Sequence, residues 1–576
     1  MSNEIKGVLV ESSIIADLTQ EMIFPVVSGP AQNTYQPFPF NSQSNSSLVA
    51  NIQLPSESIV SDAKVLFQSD LNLTINLANV PIGVPAFGYG QTDSLNSYPL
   101  QSLFSTSSLT LNNATSSTNY ADVLAIVKIL EDKNRLDKAD SFTPNYVNQT
   151  WGRYSDAVLT NSNPMASYNE TTLNNDRVPN GAFPYSYFQV NHYVGGVLTD
   201  DSLISTSTSD TWTIYISFAK LTEPFLCLSP FVNHDFNSAG LMGINNLALT
   251  LNINQCQKVW ATGNSFVNSG GNGLSSYITN ISLGNPQSNN LGFTNAKLLF
   301  RMVTMTDLQF SRKSIRSTTS FVDYPRYISP ASNSPTLAPG QSGVVQFQNI
   351  QISQVPSLLC FALRVPLSQQ NWAYTDSFLK INTISITFNN QSGLLASANS
   401  AQIYTMSVDS GSTQSFYSFN GTANAIQNGV STLIPTLGSI VCINPAEFLS
   451  LNELLSNSSI GQFNMQITVN CTNNHAFSIT PEGITITVNT GYCVTELGQT
   501  SYFTAVLDRQ MVLDTKSTTD ENRIVDADFY QNAVGGKMHK GPMSVGKFIK
   551  NTKGKMNTEE GGRKHMSKSK LHKLLR

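Results

Sequence analysis

The stretch INNLALTLN, Ile244 to Asn252, decides how this chain of 576 residues is read. Apolar and polar residues alternate along it. That is the pattern of a strand with one face in a core and the other in water. INTISITFN, Ile381 to Asn389, writes nearly the same thing again: four of the nine positions are identical, and four of the other five keep polarity and rough size. Upstream of the first copy stand the alternating run WTIYISF and then EPFLCL, with Pro224 and Cys227. Upstream of the second stand VVQFQNIQI and then VPSLLCF, with Pro356 and Cys360. From Cys227 to Ile244 is 17 positions, and from Cys360 to Ile381 is 21, so one loop is four residues longer. Ordered features over some forty residues point to a duplication, with Ile244 and Ile381 as equivalent positions. The period, near 135 residues, is too long for a solenoid or a propeller blade and suits two stacked domains.

The composition agrees with an all-β reading. Apolar residues make up 40%, enough for two sizeable cores, and charged residues only 12%, about half the usual share. Ser, Thr, Asn and Gln take the surface role. The charge is unevenly placed. Lys537 to Arg576 holds 12 Lys or Arg against 2 acids, a net of +10, so a formal −4 for the chain leaves −14 on residues 1–536. Six cysteines (Cys227, Cys256, Cys360, Cys442, Cys471 and Cys493) form no CxxC pair, and most lie in apolar runs, so they read as buried free thiols. The N-terminus does not read as a signal peptide, and no window reaches 18 apolar residues, so no transmembrane segment is expected.

Along the chain, residues 1–46 read as an irregular N-terminal arm, since Gly29-Pro30 and PFPF (Pro37 to Phe40) oppose regular structure. A first sandwich over 47–292 follows, with strands SLVANIQLP, SDLNLTINL, SSLTLN, DVLAIVKIL, TWTIYISFAKLTEPFLCLSP, the opening stretch and YITNISLGN. It carries a polar insertion at about 131–210, in which LEDKNRLDKAD reads as a short charged helix. A second sandwich over 293–510 starts at AKLLFRMVTMTDLQF and holds about nine strands, QIYTMSVDS among them. An extension over 511–576 ends the chain, its basic part starting at 537. Some eight antiparallel strands per domain is the jelly-roll number, so the fold expected is all-β: two eight-stranded jelly-roll sandwiches in tandem, with a flexible basic tail. The arm is expected to cover a sheet edge, because bare edges aggregate.

The segment LKINTISITFNNQSGLLASANSAQIYTMSVDSGSTQSFYSFNG, Leu379 to Gly421, then resembles the later part of the C-terminal jelly roll in double jelly-roll major capsid proteins of the adenovirus hexon lineage. The likeness is strongest to virophage, polinton-like virus and adintovirus capsid proteins. Ile384, Ile386, Asn389-Asn390, Gly393-Leu394-Leu395, Tyr404 to Ser407, Gly411, Phe416 and Phe419 carry it. The resemblance implies a homotrimer with a pseudo-hexagonal outline, two barrels from each chain, packed into an icosahedral DNA-virus shell. The partners it implies are neighbouring capsomers, penton and minor capsid proteins. The place it implies is the virion, after assembly in the host cytoplasm or nucleus.

Catalytic patterns are missing from the sequence. His192, His234 and His475 are scattered, NHDF (Asn233 to Phe236) leads to no metal-binding pair, and GGNG (Gly270 to Gly273) lacks the lysine of a phosphate loop. Neither an enzyme, nor a cofactor, nor a metal is expected. The tail is the informative region. Lys537, Lys540, Lys547, Lys550, Lys553, Lys555, Arg563, Lys564, Lys568, Lys570, Lys573 and Arg576 would meet phosphate backbone, such as the genomic DNA of a filled shell, or an acidic internal partner. A solvated tail and a nuclear-import address are the plainer readings. Gly535-Gly536 and Gly561-Gly562 bracket the tail, and relatives in this lineage encode a cysteine protease that cuts after Gly-Gly. Ala533 and Glu559 stand where the adenoviral type favours a large aliphatic, so two hinges are the rival reading. Rival whole-chain readings are a carbohydrate-binding adhesin or fibre, and a single-jelly-roll capsid protein with a projection domain.

Overall fold

The computed structural model describes residues 31–506, apart from internal segments of which 131–185, 263–276 and 232–243 are the longest. The first sandwich is built from β1 (Ala31–Pro39), β2 (Ser47–Gln53), β3 (Ser58–Ala78), β4 (Phe104–Leu111), β5 (Ala114–Thr118), β6 (Ser186–Val194), β7 (Thr211–Pro224), β8 (Asn246–Ile253) and β9 (Phe293–Met305). One sheet runs β1-β9-β3-β7-β6 and the facing sheet β2-β8-β4-β5, all antiparallel. Leaving β6 aside, the first, eighth, third and sixth strands make one sheet, and the second, seventh, fourth and fifth make the other. Each connection therefore tends to cross between sheets, which is the jelly-roll wrap.

The second sandwich repeats this order. Its strands are β10 (Ile315–Asp323) continued by β11 (Arg326–Ser329), β12 (Ser342–Gln346) continued by β13 (Ile350–Gln354), β14 (Leu358–Arg364), β15 (Lys380–Phe388), β16 (Gln391–Leu394), β17 (Ile440–Ile443), β18 (Ile460–Thr472) and β19 (Glu482–Leu497). The sheets run β10/β11-β19-β14-β17 and β12/β13-β18-β15-β16. Counted as eight strands, the order is again first, eighth, third, sixth against second, seventh, fourth, fifth. The chain is a double jelly roll.

The duplication is real, but the echo that suggested it joins strands that are not equivalent. INNLALTLN ends in β8, the seventh strand of its roll, and INTISITFN lies in β15, the fourth strand of the other. Both are central strands of the same kind of sheet. Leu247, Leu249 and Leu251 are buried in one; Ile384, Ile386 and Phe388 are buried in the other. Both are also entered after a crossing from the facing sheet. The shared environment imposes the shared pattern, and an Asn- and Thr-rich surface supplies the identities.

Two expected strands are helices. DVLAIVKIL lies in α2 (Tyr120–Leu130), which follows the four-residue helix α1 (Pro99–Ser102). QIYTMSVDS lies in α3 (Ser400–Asp409), and a short α4 (Phe416–Phe419) comes next. Helices α2 and α3 occupy the same place in the two rolls, between the fifth and sixth strands. In α2, nine of eleven residues are buried, so no polar face interrupts the apolar run and the helical period is hidden. In α3 a start signal was legible. The Asn399 side chain accepts from Gln402 N, and the Gln402 side chain accepts from Asn399 N, a reciprocal cap spelled N-x-x-Q.

Three further strand assignments change. Part of the expected irregular arm, Ala31–Pro39, is strand β1; it covers the edge of β9, and its two prolines sit on an edge strand, where a missing N–H costs least. AKLLFRMVTMT, expected to open the second sandwich, is β9, which pairs with β1 and β3 of the first roll. Ser186–Val194, inside the expected surface insertion, extends the first sheet by pairing with β7. The stretch read as a charged helix, from Glu131 on, lies outside the described residues.

Candidate functional site: the joint between the two rolls

A jelly roll has its own core between its sheets, so the question is what makes two of them one unit. Strand β14 answers it. All its residues but Leu358 are buried, on both faces. Leu359, Phe361 and Leu363 point into the second core. Cys360 and Ala362 point the other way and join the core of the first roll, together with Ile440, Cys442, Ile484 and Ile486. The outer face of the second roll's sheet is thus apolar and covered. Cys360 and Cys442 face each other across β14 and β17 as free thiols, and burial pushes the Cys360 thiol well up. Cys227 and Cys471 are also buried free thiols, and Cys256 is half-buried.

Helix α2 is the pin of this joint. Asp122 in its first turn meets Arg326 Nη1 of β11 at 2.6 Å, and Arg364 Nη1 of β14 also comes to 2.6 Å. The second contact lies off the hydrogen-bonding direction, so it is ionic only. Nε and Nη2 of Arg364 both reach one oxygen, Oε2 of Glu482 in β19, at 2.8 Å and 2.7 Å, and this holds the guanidinium in place. At the far end of the helix the Ile129 carbonyl accepts from Thr413 N at 2.7 Å and Thr413 Oγ1 at 2.8 Å, which ties α2 to the loop between α3 and α4. Lys258 donates to the Ala121 carbonyl and to Asp376 Oδ1, each at 3.1 Å. Lys128 donates to the Ser97 carbonyl at 2.9 Å and lies 3.8 Å from Asp376. Burial pulls Lys128 below its ordinary value, while Asp376 favours its charge. Beside them, Glu223 accepts from Leu100 N, Gln101 N and Gln101 Nε2, and burial pushes its carboxyl up to about 7 against those bonds.

Apart from Glu223, whose donors all lie in the first roll, these charges are arranged to hold two bodies in one geometry, since each sits against an opposite charge or a carbonyl. The sequence reading missed them all. Their one signal was available: in a chain with 12% charged residues, Asp122 and Lys128 stand inside an apolar run, and Arg364 ends another. Charges are seldom buried unless paired, so such positions mark pairs to be found.

A second polar cluster lies in the first roll. His192 is buried and stacked on Trp212, with ring centroids 4.6 Å apart. Its Nδ1 lies 3.0 Å from Asp200, and its Nε2 lies 2.9 Å from the buried Asp210. Burial works against the charge on Asp210, but bonds from Thr206 N, His192 and Ser207 N outweigh it and hold the carboxyl at about 2. Among the described residues, no group of three His, Cys, Asp or Glu side chains is placed to hold a metal ion. No described helix is long and apolar enough to cross a membrane. The basic residues from Lys537 to Arg576, the two Gly-Gly pairs, His234 and Gly270 to Gly273 lie outside the described residues.

Comparison with known proteins follows the same division. The family described as Sputnik virophage major capsid protein, first domain, matches residues 3–303, and the major capsid protein V20 C-terminal domain matches residues 324–491. A putative capsid protein V20 of Sputnik virophage is 25% identical over 562 residues, covering 93% of this chain and 87% of its own. The cryo-EM structure of Sputnik virophage superposes with a TM-score of 0.65 at 20% identity, over 92% of this chain and 94% of that one. The crystal structure of the mavirus major capsid protein gives 0.58 at 13% identity, over 82% and 90%.

Proposed function

The chain belongs to the Sputnik virophage major capsid protein family, and from that premise we propose that three copies join into a capsomer of six sandwiches with a pseudo-hexagonal outline. It is a major capsid protein, a structural component of the virion. The observation that carries the trimer is the joint: two rolls of identical strand order, locked by a buried helix and buried ion pairs, form one rigid double unit. The work of such a unit is mechanical. It presents the same wrapped sheets twice, so a ring of three chains offers six similar edges to neighbouring capsomers, pentons and minor capsid proteins. We divide the chain into a first roll over 31–305 and a second over 315–506, because β9 closes the first sheet. Under this reading the protein has no enzymatic step and needs no cofactor.

The test is negative-stain microscopy and light scattering on the purified full chain. Trimers of six-lobed outline are expected. Monomers that bind glycans would replace the reading with the adhesin one.

The tail from Lys537 to Arg576 is proposed to meet encapsidated nucleic acid inside the shell, supported by its net charge of +10. Affinity for duplex DNA should fall steeply between 50 and 200 mM salt, by roughly 10³-fold or more if six or more phosphates are neutralised. A chain ending at Gly536 should lose that salt-dependent binding. If the truncated chain binds equally well, the tail is not the contact.

A further inference from the structure

The joint describes how one roll seats on the next, and the same contact can be looked for where the chain leaves it unfilled. In the first roll, α2 is clamped against the outer face of the second roll's sheet. In the second roll, α3 holds the equivalent place, but only Ile403 and Ser407 of its ten residues are buried. Its neighbour α4 presents Phe416, 41% exposed, and Tyr417, 64% exposed, and Val408 of α3 is 41% exposed. Tyr404 packs edge-on to Phe416 at 5.3 Å and tilted against the buried Phe419 at 5.4 Å, so the aromatic surface rests on a rigid base. It is also continuous with the joint. Thr413, which ends α2 of the first roll, lies between α3 and α4.

We infer that the α3–α4 aromatic platform docks on a second copy of this chain, against the outer face of that copy's first roll. The inference rests on the proposed trimer and names its contact. Within the chain, a helix of one roll meets the outer sheet face of the next. Repeating that head-to-tail contact between chains leaves two faces to be matched: the platform on the second roll, and the outer face of β1, β9 and β3 on the first. That face shows Tyr35, 59% exposed and paired with Arg301, next to the part-exposed Leu299 and Leu66, which are paired with each other. A head-to-tail contact makes a closed ring when its rotation closes. Six similar rolls in three chains do so, and every platform is then covered. Aromatic anchors with apolar neighbours are the usual centre of such contacts.

The test is the double variant Phe416→Ser/Tyr417→Ser in the full chain, followed by sedimentation and light scattering across a concentration series. Association is expected to weaken by about 30-fold or more for each aromatic removed. Tyr417→Ser alone, at the 64% exposed position, should weaken association while the thermal transition of the dissociated chain stays in place; Phe416 also packs on Tyr404, so its removal lowers that transition as well. A control variant, Ile204→Ser, 54% exposed and elsewhere on the first roll, should leave association unchanged. As a second measurement, Tyr35→Cys and Tyr417→Cys, carried on separate chains and mixed, should cross-link between copies under a short bismaleimide. If the wild type forms trimers and the double variant forms them equally well without cross-linking, the docking site is wrong and the trimer stands. A wild type that stays monomeric at every concentration removes both.

Discussion

Replacing Asp122 with alanine is expected to cost about 3 kcal/mol and to split one unfolding transition into two. The carboxylate is 4% exposed and faces two guanidiniums from the other roll. Breaking a buried pair by removing one partner costs roughly 3–5 kcal/mol, because the remaining charge stays desolvated. The low end applies here, since Arg364 keeps its hold on Glu482. The more exposed partner gives the contrast. Arg326, at 37% side-chain exposure, should cost about 1 kcal/mol when replaced by alanine. Calorimetry of both variants checks this. A single transition at the wild-type temperature in Asp122→Ala would mean that α2 does not couple the rolls.

Replacing Gly438 with alanine should destabilise the second roll by about 3 kcal/mol or more. Two terms add. Gly438 has φ +98°, a left-handed conformation that a Cβ disfavours by roughly 1 kcal/mol or more. The new Cβ would also run into the carbonyl of Phe378, a backbone group that cannot swing aside, and overpacking of this kind costs about 1–3 kcal/mol. The turn is fixed from both sides: Gly438 N donates to the Ser418 carbonyl at 3.0 Å, and the Gly438 carbonyl accepts from Gln414 Nε2 at 2.6 Å. Gly411 separates the terms, having φ +99° with nothing within 4 Å of its Cβ position. Gly411→Ala should lose only the conformational part, about 1 kcal/mol. Denaturant midpoints showing equal losses at the two glycines would rule out the collision.

The sequence by itself determined the class of the protein. Alternation along β8 and β15, the scarcity of charge and the turn residues between runs gave sheets with one wet face and one dry face, twice over. Leu379 to Gly421 carried enough side-chain detail to point to the capsid lineage. The charge step at Lys537 is likewise a property of the chain alone. Tertiary structure decided everything that depends on what lies across from a residue. Alternation reports that a strand has a dry face but not which strand lies beside it, so β8 and β15 looked like copies while holding different places. An apolar run buried all round has no period to read, so α2 passed for a strand until the second roll was seen to cover its other side. The pairing of Asp122 with Arg326 and Arg364 spans more than 200 residues of chain. A buried charge reveals only that a partner must exist, and the fold alone brings that partner within 3 Å.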